Sequence, residues 1–218
     1  MAAFTGDTNN QALDTIIESR RSIRNFKLDV PPRELVEQII RAGLLAPYSG
    51  LAVFMHDFRR FIVIPRNSNT TNQAAILMKR RIFALIEELN GQMQQNAFLR
   101  EHGRAFLENL KVMSQRGVPN IGKAPYYIVV AGQKGIPPVE QRSLAHCMQN
   151  MWLKATALGL GFQLLSITAQ MAEDRQFCEL IHIPFGEFAL DGCLIGYADM
   201  TPPPPKRPYA NEVTRWIE

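Results

Sequence analysis

Tyr126-Tyr127-Ile128-Val129-Val130-Ala131 is the clearest strand of the chain. Its residues are aromatic, β-branched or small, and none of them carries a charge. A run that is apolar on both alternating faces predicts a strand at the centre of a sheet covered on both sides. We therefore expect the fold to be built around this strand.

Further strands are predicted on both sides of the central run. They cover residues 58–64, which Pro65 ends, and residues 162–167 and 189–197. The prolines at 202–205 predict a stiff, extended connector, because proline suits neither a helix interior nor a central strand. The tail, residues 213–218, is expected to add a last strand.

Apolar residues at helical spacing predict helices between the strands. These are expected over residues 10–19, 32–44, 73–89, 97–115, 141–158 and 173–182. Pro32 suits a first helical position, and Gly159 suits the turn after a helix C-terminus. The buried stripe of the second helix is predicted to be Leu35, Val36, Ile39, Ile40 and Leu44. Strands and helices together predict one α+β domain over residues 1–218.

Composition excludes several classes of protein. The chain has 218 residues, 46% of them hydrophobic, and three widely spaced cysteines, so neither a disulfide framework nor a zinc site is expected. Without an apolar run of ~20 residues or a signal-peptide pattern, we expect a cytoplasmic protein that does not enter a membrane. A net charge of +4 permits anionic ligands. A nucleic-acid binder is a rival hypothesis, but no nucleic-acid-binding motif supports it.

A basic cluster, Arg20-Arg21-Ser22-Ile23-Arg24, follows the first predicted helix. Arginine forks match phosphate oxygens in pairs, and charge-assisted hydrogen bonds are the stronger ones. If the segment is extended and Ile23 points into the core, Ser22 and Arg24 share the opposite face. The alternative is that these cations only close a helix C-terminus, where positive charge is favourable.

Two glycines, Gly159 and Gly161, stand between a predicted helix and a predicted strand. They allow either a close approach to a ligand or a plain helix cap, but their order is wrong for a dinucleotide fingerprint. Lys206 and Arg207 are two further cations that could join the first cluster from a distance. Without a nucleophile or metal motif, the chemistry is expected to come from a cofactor.

In order and spacing, these motifs resemble the nitroreductase family of flavoproteins. The family has Arg-Arg-Ser-Ile-Arg-x-Phe, Ala-Pro-Ser, Gly-x-Ala-Pro, Ala-x-Gly-Leu-Gly and Ile-Gly-Tyr, then a basic pair and Val-x-x-Trp. The corresponding segments here are residues 20–26, 46–48, 122–125, 157–161, 195–197, 206–207 and 213–216. The resemblance spans nearly the whole chain. It implies a central, mainly antiparallel sheet flanked by helices, in an intertwined homodimer whose C-terminal extension, about residues 200–218, reaches the partner.

The resemblance also implies a cofactor, FMN, bound between the two subunits. The phosphate and ribityl chain would meet Arg20, Arg21, Ser22, Arg24, Lys206 and Arg207. Pro47, Tyr48 and Ser49 would line the flavin from the partner subunit. Leu164, Leu165, Ser166 and Ile167 would pass the edge of the flavin ring with their backbone N–H groups, and the helix over residues 141–158 would form much of the dimer core.

The implied activity is transfer of hydride from NAD(P)H through FMN to a small organic acceptor, by a ping-pong mechanism. The chain departs from the family between Tyr48 and Asp57, where the usual Asn and Gln-Pro-Trp are absent. This departure leaves two alternatives open. One is an FMN-binding sensor or carrier with little turnover, and the other is a specialised family member of the dehalogenase or flavin-fragmenting type.

Overall fold

The computed structural model of the chain describes residues 6–48 and 58–217. Its sheet has four strands in the order β1-β2-β4-β3, and every neighbouring pair is antiparallel. The strands are β1 (Arg59–Pro65), β2 (Tyr126–Gln133), β3 (Gly161–Leu164) and β4 (Phe188–Gly196). The prediction of a central strand is confirmed, because β2 lies inside the sheet and is buried on both faces.

Helices cover both faces of this sheet. They are α1 (Gly6–Ser19), α2 (Arg33–Leu44), α3 (Asn69–Gln95), α4 (Ala97–His102), α5 (Arg104–Arg116), α6 (Glu140–Ala157), α7 (Ile167–Gln170), α8 (Arg175–Leu180) and α9 (Ala210–Val213). Alternate residues of β2 separate two apolar cores. Tyr127 and Val129 face the core that includes α3, α5 and α8, whereas Ile128 and Val130 face α2 and α6. No helix in the described ranges combines the length and hydropathy that crossing a membrane requires.

The predicted stripe of α2 is correct except at its end. Val36 and Ile39 are buried, but the side chain of Leu44 is 51% exposed. Gly43 faces α6 instead: a Cβ atom there would lie 2.8 Å from Cγ of Met151. The helices therefore approach closely at a residue that has no side chain, which a search for apolar residues does not find.

Two predicted elements end earlier than expected. The helix over residues 97–115 is divided at Gly103, where a Cβ atom would lie 2.6 Å from the carbonyl oxygen of Leu99. The strand over residues 162–167 ends at Leu164, because Ser166 is the N-cap residue of α7. In both places a new helix begins within three residues, so an apolar pattern continues across the boundary.

The prediction of a last strand in the tail is wrong. Ala210–Val213 forms one helical turn, and residues 214–217 pair with no strand in the described part of the chain. Trp216 and Ile217 are 88% and 90% exposed. An apolar pattern forms a strand only where it pairs with a sheet edge, and in the described residues the tail pairs with neither edge strand, β1 or β3.

Candidate functional site

The basic segment after α1 is held in an extended form beside strand β3. Ser22 forms a parallel bridge with Phe162, and the Ile23 N–H donates to the Phe162 carbonyl at 3.0 Å. Further along, the Lys27 N–H donates to the Tyr197 carbonyl at 2.9 Å. Segment 22–27 is therefore fixed against the sheet along its length.

The two glycines after α6 have separate structural roles. Gly159 has φ of +71° and ends the helix, as expected for a cap. Gly161 allows the basic segment to approach β3, since a Cβ atom there would lie 2.7 Å from Cγ2 of Ile23. The close approach at Gly161 is therefore to the Ile23 side chain of the protein's own basic segment.

We expect Gly161→Ala to lower the free energy of unfolding by about 2 kcal/mol, because the added methyl group overpacks a contact with a buried, β-branched side chain. Urea unfolding measures the change. The matched control is Gly91→Ala in α3, where an added Cβ meets no atom within 4 Å. That control should stabilise the protein by up to about 1 kcal/mol. Equal stability of the two variants would contradict the packing argument.

Arg20 and Arg21 have partners within the chain. The Arg20 guanidinium lies 4.2 Å above the ring of Trp152, which stacks on Phe162 at 5.0 Å. Arg21 donates to the carbonyls of Glu18 and Arg20 at the end of α1. The hypothesis that these cations close a helix is therefore correct for Arg21, while Arg20 is held by an aromatic ring.

Three polar groups of the same segment have no partner in the described part of the chain. They are the buried Nε of Arg21, the hydroxyl of Ser22 and the exposed guanidinium of Arg24. Ile23 between them is only 5% exposed. Ser22 and Arg24 therefore share the face opposite the core, as the alternation predicted, with donors available to an anion.

Asn120 connects this segment to β3. Its amide Nδ2 donates to the Arg24 carbonyl at 2.6 Å and to Oε1 of Gln163 at 2.8 Å. Asn120 has φ of +68°, a conformation that asparagine tolerates better than most residues. Our sequence reasoning missed both Asn120 and Gln163. The available signal was a polar turn, Pro119-Asn120-Ile121-Gly122, directly before the central strand.

A cavity of about 420 Å³ lies between the end of β3 and helices α3 and α5. Among the described residues, no charged side chain lines this cavity. The lining consists of Ile82, Leu85, Phe106, Leu110, Met113, Val118, Pro119, Gln163, Leu164, Leu165, Ser166, Ile167 and Gln170. The Leu165 N–H donates to the Gly192 carbonyl at 2.8 Å. Ser166 and Ile167 begin α7, where the first N–H groups of a helix have no intrahelical acceptor.

A second cavity, about 450 Å³, lies on the surface between α3 and α8. Its lining includes charged side chains that already have partners in the chain: Arg80 contacts Asp174 at 2.6 Å, and the Arg175 guanidinium lies over the ring of Phe185. We therefore regard the apolar cavity at the end of β3 as the better candidate site.

Arg59, the first residue of β1, is a third residue that our sequence reasoning missed. Its guanidinium is 5% exposed and donates to the carbonyls of Gly43, Ala46, Pro47 and Ser143 at 2.6–3.3 Å. Burial lowers its pKa from the usual arginine value. In the sequence, Arg59 resembles any polar residue at a strand start, so no local signal was available.

We call Arg59 and its four carbonyl acceptors the Arg59 clamp. Pro47 and Tyr48 follow α2 and lie beside this clamp. The Tyr48 hydroxyl donates to the Gln133 carbonyl at 2.7 Å, and its ring lies 4.5 Å from that of Phe58. Burial raises the pKa of this hydroxyl. Ser49 and the rest of the atypical segment through Asp57 lie outside the described residues.

Lys206 and Arg207 lie in the exposed tail. In the described part of this single chain, no hydrogen bond or ion pair joins them to Arg20–Arg24. The tail also carries Tyr209 and Val213, which are 77% and 70% exposed. In the described part of the chain, these two cations therefore do not join the basic segment.

Asp191, in the middle of β4, is a partly buried carboxylate. It lies opposite Val130, and its Oδ1 accepts the Gly192 N–H at 2.8 Å. Burial raises its pKa to about 6, from 3.8 when solvated. Between about pH 4 and pH 6, the folded protein therefore holds a proton on Asp191 that the unfolded chain has already released. The stability that this bound proton contributes is lost as the pH rises through 6.

We expect Asp191→Asn to stabilise the protein at pH 7.5 by at most about 3 kcal/mol, and to have little effect near pH 4. Urea unfolding at both pH values measures the difference. Asp29→Asn, at an exposed carboxylate, is the control and should leave the pH dependence unchanged. A gain of equal size at pH 4 and pH 7.5 would show that ionisation of Asp191 is not its cause.

Solved structures with this fold share low sequence identity with the chain. A nitroreductase with bound FMN from Desulfitobacterium hafniense DCB-2 has a TM-score of 0.63 at 22% identity, covering 95% of this chain and 98% of that one. Oxidised iodotyrosine deiodinase bound to FMN and 3-iodo-L-tyrosine has a TM-score of 0.66 at 21%, covering 94% and 99%. A nitroreductase with bound FMN from Bacteroides fragilis NCTC 9343 has 0.62 at 18%, covering 94% and 98%.

No curated protein sequence gives a significant match. The model of the nitroreductase family, however, matches residues 17–197. This range contains the basic segment, all four strands and the apolar cavity. The chain therefore belongs to the nitroreductase family.

Proposed function

We propose that the protein is a cytoplasmic, homodimeric, FMN-dependent oxidoreductase. It would pass hydride from NAD(P)H to a small organic acceptor by a ping-pong mechanism. The observation that carries this proposal is the pairing of two features in a nitroreductase-family chain. Partner-free donors at Arg21, Ser22 and Arg24 lie on a segment that is bonded to β3, and an apolar cavity lies at the end of the same strand.

The residues present fit FMN at both ends. A phosphate dianion suits the Ser22 hydroxyl and the Arg24 guanidinium, while the buried Nε of Arg21 needs an acceptor that the described residues do not supply. A largely apolar ring system suits the cavity lined by Leu164, Leu165 and Ile167. We assign Arg20 an indirect role through Trp152.

The second subunit would complete the site. We propose one domain over residues 1–218, whose extension from about residue 200 reaches the partner and places Lys206 and Arg207 near that subunit's phosphate site. The exposed apolar side chains of this extension, Trp216 above all, are suited to burial against another chain. Pro47, Tyr48 and Ser49 would line the flavin of the partner, with the Pro47 carbonyl held by Arg59.

The chemistry that FMN supplies when bound is hydride transfer between a nicotinamide and an acceptor. The chain itself would position the two substrates and exclude water with the apolar wall of the cavity. The N–H groups of Ser166 and Ile167, at the start of α7, would stabilise negative charge at the ring edge without titrating. The Leu165 N–H cannot take part while it binds the Gly192 carbonyl.

Three measurements test the proposal. The purified protein should be yellow and release FMN when denatured, and anaerobic NADH or NADPH should bleach the flavin absorbance. Parallel steady-state lines with a nitroaromatic acceptor would support the ping-pong mechanism. Bound FMN that neither nicotinamide reduces would overturn the enzymatic proposal and favour the sensor or carrier, and absence of FMN would overturn both.

A further inference from the structure

We infer that Asn120 is a positioning residue for the flavin phosphate. Its amide holds the backbone at Arg24, so that the cation is in place before FMN arrives. This inference rests on the proposed function, because it assigns part of the protein's preference for a phosphorylated flavin to one neutral side chain. Asn120 acts through Arg24 and does not itself bind the phosphate.

The sheet side of the basic segment is held without Asn120. The Ile23 N–H donates to β3 at 3.0 Å, and the Asn25 carbonyl accepts the Asp199 N–H at 3.0 Å. In an extended segment, alternate residues direct their backbone groups to opposite sides, so those of Arg24 point away from the sheet. In the described part of the chain, the hydrogen bond that reaches the Arg24 backbone comes from Asn120.

Asn120 is itself fixed in the turn that leads into β2. Its carbonyl accepts the N–H groups of Lys123 and Ala124, each at 3.0 Å. Its amide Nδ2 donates to the Arg24 carbonyl at 2.6 Å and to Oε1 of Gln163 at 2.8 Å. Gln163 lies in β3 and is 8% exposed. The start of the central strand and β3 therefore fix the amide together, and the amide fixes the peptide group that follows Arg24.

A fixed peptide group at Arg24 lowers the entropic cost of binding an anion. A mobile cation loses backbone and side-chain freedom when it binds phosphate, and a backbone that is already held has less freedom to lose. Contacts to the flavin ring do not depend on this cation. Asn120 therefore favours FMN over riboflavin, which has the same ring but no phosphate.

The main test is Asn120→Gly. Glycine adopts the left-handed backbone of this position, φ +68°, without strain, so the substitution removes the amide and keeps the turn. Fluorescence titration of the apoprotein should show FMN affinity lower by about tenfold and riboflavin affinity lower by less than about threefold. Equal losses for the two flavins, or a loss for FMN below about threefold, would overturn the inference.

Asn67→Gly is the matched control. Asn67 also has a left-handed backbone, with φ of +60°, and its exposed side chain has no hydrogen bond in the described part of the chain. The same chemical change there should alter the affinity for either flavin by less than about twofold. A loss of FMN affinity as large as that of Asn120→Gly would show that the amide of Asn120 is not the cause.

A double-mutant cycle with Arg24→Met separates positioning from a general structural effect. Methionine at this exposed position removes the cation that Asn120 holds in place. In that background, Asn120→Gly should lower FMN affinity by less than about threefold, because the two residues act on the phosphate together. A loss of about tenfold in both backgrounds would show that Asn120 acts independently of Arg24 and would overturn the inference.

Asn120→Asp tests the same contact by a second route. Aspartate keeps the size of the side chain and tolerates a left-handed backbone, but it cannot donate to the Arg24 carbonyl. FMN affinity should fall by about tenfold or more. Asn25→Asp adds the same charge at an exposed position of the same segment. An equal loss in that control would assign the effect to charge repulsion and would overturn the role of the hydrogen bond.

The affinity of the unmodified protein for FMN is measured first, which separates the two levels of the hypothesis. A protein that does not bind FMN would refute the proposed function and the role of Asn120 with it. A protein that binds FMN tightly, and does so equally well as the Asn120→Gly variant, would refute only the role of Asn120.

Discussion

Arg59→Met is expected to lower the free energy of unfolding by about 4 kcal/mol. The buried guanidinium donates to four backbone carbonyls, and those of Gly43 and Ala46 lie at the C-terminal end of α2. The carbonyl end of a helix carries partial negative charge, so a cation there is favourable. Methionine fills much of the volume but leaves the buried acceptors without a donor, at about 1–3 kcal/mol for each one that water cannot reach.

Urea unfolding of two further variants separates charge from hydrogen-bond geometry. Arg59→Lys keeps the charge but not the planar fork, and we expect a loss of about 2 kcal/mol. Arg33→Met in α2 is the matched control: its side chain is 84% exposed and its ion pair with Glu37 should contribute less than about 0.5 kcal/mol. If the free energy of unfolding of Arg59→Met lies within about 1 kcal/mol of that of the unmodified protein, the hydrogen bonds of Arg59 contribute little to stability.

Arg24→Glu is expected to weaken FMN binding by at least about a hundredfold. A charge-assisted hydrogen bond contributes about 1.5–3 kcal/mol, and reversing the charge adds repulsion between carboxylate and phosphate. Because Arg24 is exposed and its guanidinium has no partner in the described residues, the substitution should leave the fold intact. Fluorescence titration of the apoprotein with FMN measures the affinity.

Riboflavin provides the sharpest control for this prediction, because it has the same ring but no phosphate. Arg24→Glu should change riboflavin affinity by less than about threefold, so that FMN loses its advantage. Lys27→Glu, an exposed cation of the same segment, should affect both flavins weakly. An equal loss for FMN and riboflavin would place Arg24 away from the phosphate.

Arg20→Ala should mainly destabilise the fold, since the Arg20 guanidinium lies over the ring of Trp152.

Much of the fold could be predicted because local patterns carry it. The apolar run at residues 126–131 required a sheet centre, and β2 occupies that place. Helical spacing found α2 and α6 to within one residue at each end. The alternation of Ser22, Ile23 and Arg24 gave the exposed face of the basic segment. In each case the deciding information lies within a few neighbouring residues.

The candidate site was only partly predictable because its side chains find distant partners. Arg20 and Trp152 are 132 positions apart in the chain, yet their side chains stack. This contact, and the hydrogen bonds of Arg21 to the end of α1, show that Arg20 and Arg21 help to hold the fold. The donors of Ser22 and Arg24 have no partner in the described residues, a difference that the sequence of the cluster does not reveal. The prediction of a strand in the tail failed for the same kind of reason, since pairing depends on a distant partner and the described residues of the tail pair with neither edge strand.

The sequence by itself determined the central strand, most helices, the basic segment and the family, because periodicity and motif order need only neighbouring residues. Tertiary structure alone decided which donors are free, where Arg59 binds and that an uncharged cavity adjoins Gln163. The physical reason is that a hydrogen bond or a ring contact depends on distance in space. Here Asn120 joins Arg24 to Gln163 across 96 and 43 positions of the chain.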